Sequence, residues 1–98
     1  MAIRITCINK SQGYHQDPHH AIQNLGWVNE ASGKEGKHTR LQIYDWLKQD
    51  PNNQAYVKDR SGNVAYVYPL ENQHGTKYVQ TYADNKWTDN LLFLPECK

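Results

Sequence analysis

The stretch Thr39–Pro51, TRLQIYDWLKQDP, carries the strongest local signal in the chain and decides its fold class. Thr39 and Gln42 have the spacing of a capping box, in which each side chain bonds the backbone N–H of the other residue at a helix start. Apolar side chains then recur at helical spacing and form one wide stripe. Pro51 ends the pattern, because the residue before a proline avoids helical backbone angles. The stretch therefore predicts one amphipathic helix at about 40–49.

The sequence on both sides of this helix has the patterns of β-strands. Upstream runs alternate apolar and polar side chains, and downstream runs are rich in β-formers and separated by short turns that favour antiparallel hairpins. We therefore predict an α+β fold, with a curved, mainly antiparallel sheet of about five strands in the order β-β-α-β-β-β, packed on one helix. The strands are expected at residues 2–9, 20–28, 54–58, 63–69 and 76–82.

Two remaining segments have simpler patterns. Residues 29–38 are polar and contain glycine, so we expect a connection rather than a regular element. The run 91–95, LLFLP, is strongly apolar. Leaving that run in water would be costly, and we expect it to dock on the core or to form an edge segment.

Length and charge limit the function classes. The chain has 98 residues, the size of one domain, and we predict that residues 1–98 form a single one. Eleven Lys and Arg against ten Asp and Glu give a net charge of +1, which excludes a tail that binds nucleic acid by charge alone. No apolar run approaches the ~20 residues of a membrane span, and the start has no signal-peptide pattern. A soluble, cytoplasmic protein without a membrane partner is therefore expected.

The chain has two cysteines, Cys7 and Cys97, near its opposite ends. In a reducing compartment the expectation is two free thiols. Alternation on the first strand places Cys7 on the same buried face as Ile3 and Ile5. A disulfide would require Cα atoms within about 7 Å of each other, a distance that the sequence does not give.

Tyrosines alternate on the predicted strands of the second half. Tyr66 and Tyr68 fall on one face of their strand, and Tyr78 and Tyr82 on one face of theirs. If exposed, such a face is a stacking platform for bases or a nucleotide-like ligand. The alternative is that the tyrosines are half-buried cross-strand pairs that stabilise the sheet. With two basic residues nearby in sequence to neutralise phosphates, the predicted ligand-contact set is Tyr66, Tyr68, Tyr78, Lys77 and Arg60.

A catalytic alternative centres on Cys7, His19 and Cys97. Imidazole and thiolate are zinc ligands, and a histidine-paired thiolate is a nucleophile. If the chain ends met, the cysteines and the histidine-rich loop 15–20 would supply such a site. Neither a metal-ligand spacing nor a hydrolase motif is present in the sequence, so we expect no cofactor.

These patterns favour a non-enzymatic binding or accessory module over a metal- or thiol-dependent enzyme. The candidate partners are a small anionic ligand, a nucleic acid or a protein. A homo-oligomer formed through an uncovered sheet edge is a further alternative.

Several stretches of the chain resemble a family of short bacterial proteins known only as a domain of unknown function. The start Ile5–Lys10, ITCINK, and the end Asn90–Cys97, NLLFLPEC, match I-T-C-I-N-K-like and N-L-L-x-L-P-E-C-like patterns of that family. The step Pro18-His19 and the strand Gly75–Thr81, GTKYVQT, add to the likeness. The resemblance implies a bacterial or phage origin and a self-contained domain, and it implies no particular activity.

Overall fold

A computed structural model of the protein describes residues 1–11 and 18–97, apart from the side chains of Pro18 and His20. Within those residues it shows an α+β fold with one α-helix, α1 (Arg40–Gln49), and two short 3₁₀ turns (Pro18–Ala21 and Asn90–Phe93). The strands of the described residues number seven rather than about five, and they are β1 (Ala2–Lys10), β2 (Ile22–Val28), β3 (Glu35–Thr39), β4 (Gln54–Lys58), β5 (Val64–Glu71), β6 (Lys77–Ala83) and β7 (Lys86–Thr88).

The helix forms as the sequence predicts. The Thr39 hydroxyl accepts the backbone N–H of Gln42 at 3.1 Å, and the Gln42 side chain accepts the backbone N–H of Thr39 at 2.9 Å. This reciprocal capping box satisfies two donors that have no partner inside the helix. Ile43 and Tyr44 lie at the centre of the apolar stripe and are buried against the sheet.

The sheet is mixed and has the strand order β3-β2-β1-β4-β5-β6-β7. Its neighbouring strands are antiparallel except for β1 and β4, which are parallel. The exception follows from α1, which carries the chain back across the sheet so that β4 runs in the same direction as β3 and β1. The helix packs on one face of this sheet and closes a core made of Ile3, Ile5, Ile8, Ile22, Leu25, Ile43, Tyr44, Ala55, Val57, Ala65, Val67, Val79 and Leu91.

A bulge in β1 changes which side chains enter the core. Ile3 and Ile5 are buried as predicted, but the register of β1 against β2 shifts between Ile5 and Cys7. A bulge adds one residue and reverses the alternation beyond it. Ile8 therefore enters the core, and Cys7 is only half-buried, so the prediction that Cys7 shares the buried face was wrong.

The end of the chain lies beside β1. Because β4 pairs with only the first residues of β1, the later residues of that edge are open to another partner. The backbone N–H of Ile8 donates to Pro95 O at 3.0 Å, and that of Cys97 donates to Ile8 O at 3.1 Å. Leu91 is fully buried, so the predicted docking of the apolar run on the core is confirmed there, whereas Phe93 in the same run is 84% exposed.

Cys7 and Cys97 form a disulfide, with their Cα atoms 5.0 Å apart. The expectation of two free thiols was therefore wrong. It rested on an assumed reducing compartment, whereas the tail brings Cys97 directly to the bulge of β1. Gly26, opposite Cys7 on β2, leaves room for the two sulfur atoms, because a Cβ there would overlap Cys7 Sγ and lie 3.0 Å from Cys97 Sγ.

Residues 35–39 form an edge strand instead of the predicted connection. Glu35–Thr39 pairs with β2 along its length, although its side chains are mostly exposed. A strand at a sheet edge needs only backbone pairing on one side, so it shows little apolar alternation.

Candidate ligand-binding surface

The face of the sheet opposite α1 carries a group of exposed aromatic rings. Val67 on β5 and Val79 on β6 are buried beneath the helix. Successive side chains of a strand point to opposite faces, so Tyr66 and Tyr68 lie on the other side. Their exposed fractions are 43% and 45%.

Three further rings join these two tyrosines. Tyr56 on β4 pairs with Tyr66, and their ring centroids are 6.3 Å apart. Tyr82 and Trp87 lie 6.2 and 6.1 Å from Tyr68, in edge-to-face geometry, and 5.0 Å from each other. Edge-to-face contacts are favourable and hold each ring at a defined angle. We call Tyr56, Tyr66, Tyr68, Tyr82 and Trp87 the aromatic face.

A tight hairpin adds Trp87 to this surface. Asp84 and Asn85 both have positive φ, 55° and 64°. Such angles at both central residues match the two-residue turn that joins twisted antiparallel strands. The turn places Trp87 opposite Tyr82, and Trp87 is 48% exposed. No strand was predicted beyond residue 82, although Asp84-Asn85 after a short β-rich run was a signal for this hairpin.

The predicted contact residues do not all share one surface. Tyr66 and Tyr68 belong to the aromatic face, and half-buried Tyr78 pairs with Leu70 near the far end of the same two strands. Arg60 is exposed in the turn between β4 and β5. Lys77 is on the helix side, with its ammonium 5.5 Å from the centroid of the Tyr44 ring. Lys77 and Tyr78 are consecutive in β6, so their side chains point to opposite faces of the sheet. Lys77 therefore does not belong to the surface that the tyrosines form.

An ion pair borders the aromatic face. Arg4 Nε lies 3.2 Å from Glu30 Oε1, and the Tyr56 hydroxyl donates a hydrogen bond to the same oxygen. The bond from Tyr56 lowers the pKa of Glu30, with smaller electrostatic contributions from Arg4 and Lys58. Glu30 in turn raises the pKa of Tyr56 above the ordinary tyrosine value. No local pattern in the sequence indicates this group, since Glu30 is in a loop 26 residues away from Tyr56.

The Tyr56–Glu30 bond makes a titration experiment informative. We expect Tyr56 to ionise at a higher pH than an ordinary tyrosine, because its phenolate would lie against the Glu30 carboxylate. Since the raised pKa of Tyr56 and the lowered pKa of Glu30 belong to the folded state, the bond contributes stability between pH ~4.3 and pH ~10. That stability is lost as the pH rises through the Tyr56 pKa or falls through the Glu30 pKa. Ultraviolet titration of tyrosinate should show one late step that Tyr56→Phe removes and Glu30→Gln moves to lower pH. An unchanged titration curve in Glu30→Gln would contradict the contact.

The residues of the catalytic alternative, Cys7, His19 and Cys97, make contacts that connect distant parts of the fold. Cys7 and Cys97 are bonded to each other, so in this state they offer no thiolate. His19 is buried, and its Nε2 lies 3.8 Å from Asp89 Oδ1, which links the first 3₁₀ turn to the tail. Over residues 1–11 and 18–97, no group of three or more His, Cys, Asp and Glu side chains is placed to hold a metal ion. His15 and Asp17, and the side chain of His20, lie outside the described residues.

Comparison with known proteins places the chain in a family. Residues 4–95 match the model of a family described as "Protein of unknown function (DUF3892)", so the chain belongs to that family and the predicted resemblance is confirmed. No match was found among curated proteins or solved structures. In the part of the chain that the structure describes, no helix has the length and apolar character to cross a membrane.

Proposed function

We propose that this protein is a non-enzymatic binding module whose aromatic face binds an unpaired strand of nucleic acid. The observation that carries the proposal is the exposure of Tyr66, Tyr68 and Trp87, each between 43% and 48%. A contiguous exposed apolar patch on a small protein is typical of a binding surface, whereas single exposed rings are not.

The extent of the aromatic face favours a strand over a small anion. Its rings come from the four neighbouring strands β4 to β7. At a strand spacing of ~4.8 Å, these strands span about 14 Å, which is room for more than one stacked base. A single phosphate would instead need several donors that converge on one point.

The charges around the aromatic face support the same partner. Lys58 and Arg60 are exposed at the end of the face where β4 turns into β5, and they can meet backbone phosphates. Arg4 also lies there, but Glu30 already neutralises it. Stacking therefore contributes most of the affinity, and two phosphate contacts give a logarithmic salt slope of only about −1.4.

Binding of a short labelled single-stranded oligonucleotide, followed by fluorescence anisotropy, tests the proposal. We expect Tyr68→Ala and Trp87→Ala each to weaken binding about tenfold, because one base–ring stack contributes ~1–3 kcal/mol. Lys58→Ala should weaken binding less and reduce the salt slope.

The helix side of the molecule provides matched controls. Lys77→Ala removes a lysine next to Tyr44, and Leu41→Ala removes an exposed apolar side chain of α1, so both should bind as the parent protein does. Absence of binding at millimolar oligonucleotide would refute the proposal. A dimer, measured by light scattering, that dissociates in the Tyr68→Ala variant would also refute the proposal. The aromatic face would then be a self-association surface.

A bacterial origin and a cytoplasmic location belong to the same proposal. The disulfide between Cys7 and Cys97 weighs against the location, because disulfides persist mainly in oxidising compartments. Alkylation of free thiols in intact cells, before lysis, distinguishes the cytoplasm from an oxidising compartment. Alkylated Cys7 and Cys97 would support the cytoplasm, and a protected bridge would overturn it.

A further inference from the structure

A cavity lies on the helix side of the sheet, away from the aromatic face. It has a volume of about 360 Å³, and its walls include Ile3, Ile43, Trp27 and Trp46. The side chains of Ile3 and Ile43 are buried and form an apolar floor, while the two indole rings are only partly buried. Small-molecule sites are mostly apolar cavities of ~300–1,000 Å³ with a few polar groups that fix the ligand's orientation.

Two contacts hold the Trp27 indole in the wall of this cavity. Gly36 lies opposite Trp27 on β3, and a Cβ at Gly36 would be 2.6 Å from Cζ2 of the indole. The absence of a side chain therefore lets the ring lie against the strand. The indole N–H then donates to His38 Nδ1 at 2.8 Å, and the two rings are nearly parallel, with an interplanar angle of 15°.

The bond between Trp27 and His38 also sets the chemistry of the wall. Since Nδ1 accepts a hydrogen bond, a neutral His38 carries its proton on Nε2. His38 and Gln42 both line the cavity, so the imidazole and the side-chain amide offer hydrogen-bond donors among mainly apolar walls. Preorganised indole rings favour flat partners, because ring stacking needs a planar face.

We propose that this cavity, the indole pocket, binds a neutral, planar heteroaromatic molecule of one fused ring system that accepts a hydrogen bond. Its volume is at the lower end of the range for ligand sites, which suits a ligand of about two fused rings. The indole pocket and the aromatic face differ in location and in ligand, so neither proposal depends on the other.

Quinoline is a suitable probe, since it is neutral near pH 7, flat and bicyclic, with one ring nitrogen that accepts a hydrogen bond. The indole N–H signals of Trp27, Trp46 and Trp87 are first assigned in ¹H–¹⁵N spectra with single Trp→Phe variants. We expect quinoline to shift the signals of Trp27 and Trp46 saturably and to leave that of Trp87 unchanged. No saturable shift, or a shift of Trp87 alone, would overturn the proposal.

Gly36→Ala tests the wall directly. The added Cβ displaces the Trp27 ring, and we expect quinoline affinity to fall at least tenfold. Lys37→Ala is the matched control. Lys37 follows Gly36 in β3, pairs with Gly26 and is exposed, and its side chain points to the other face of the sheet. Equal quinoline affinity in Gly36→Ala and Lys37→Ala would contradict the role of Trp27.

His38→Phe gives an independent readout if Gly36→Ala does not fold. The parent protein should bind quinoline more tightly than naphthalene, which accepts no hydrogen bond. Phenylalanine keeps an aromatic ring but removes both the Nε2 donor and the Nδ1 atom that accepts from Trp27, so this preference should disappear. A preference that persists in His38→Phe would overturn the predicted hydrogen bond and with it the ligand class. Oligonucleotide binding at the aromatic face should be unchanged in both variants, which keeps the two proposals distinguishable.

Discussion

Opening the Cys7–Cys97 disulfide is expected to lower the free energy of unfolding by about 4–5 kcal/mol. The two cysteines are 90 residues apart in the sequence, so the bond restricts almost the whole unfolded chain. The entropy that a crosslink removes from the unfolded state grows with loop length and reaches about 4.7 kcal/mol for ~100 residues. Domains of this size have total stabilities of ~5–15 kcal/mol, so the bridge supplies a large share.

Urea denaturation of the oxidised protein and of a Cys7→Ser/Cys97→Ser variant measures this contribution. The serine pair keeps the approximate shape of the side chains and cannot form the bond, and reduction of the parent protein removes the bond without a substitution. Added reductant should destabilise the parent protein and leave the double variant unchanged. A difference below about 1 kcal/mol would contradict the loop-closure argument.

Gly26→Ala is expected to cost about 2–3 kcal/mol in the oxidised protein, at the upper end of the range for overpacking. The added Cβ would overlap Cys7 Sγ and meet Cys97 Sγ at 3.0 Å. Neither sulfur can withdraw alone, because each is bonded to the other and both backbones are hydrogen-bonded on β1 or beside it. Urea denaturation again provides the measurement.

A double-mutant cycle separates this clash from a general intolerance of alanine at the site. In a Cys7→Ala/Cys97→Ala background the sulfurs are absent, and Gly26→Ala should then be neutral or stabilising by up to about 0.5–1 kcal/mol. The reversal of sign identifies the disulfide as the reason for glycine. An equal cost in both backgrounds would show that the backbone itself excludes a side chain at Gly26.

The helix could be predicted from sequence almost to the residue, because its determinants are local. Thr39 and Gln42 are three positions apart, and the capping box needs no other part of the chain. The hairpin strands β4, β5 and β6 could be predicted for the same reason, since short turns connect them. Their alternation also placed Tyr66 and Tyr68 on one face of β5, and Tyr82 with Tyr78 on one face of β6. Three of the five rings of the aromatic face could therefore be predicted from sequence.

The remaining features depend on pairing between distant residues. A one-residue bulge beside Thr6 reverses the direction of Cys7, and no local pattern announces it. β3 is held by the backbone of β2 and by Trp27 over Gly36, so its own side chains carry no signal. Lys77 is close to the tyrosines in sequence, but the face of the sheet on which it lies is set by the alternation of side chains along β6.

The bridge between Cys7 and Cys97 has a mechanical consequence. A force that pulls on the two ends of the chain reaches the covalent bond after peeling only the first residues of β1. The disulfide then carries the force in place of residues 8–96, so the sheet that these residues form is not pulled apart while the bond remains intact. A single redox event thus decides whether tension can extend nearly the entire polypeptide or almost none of it.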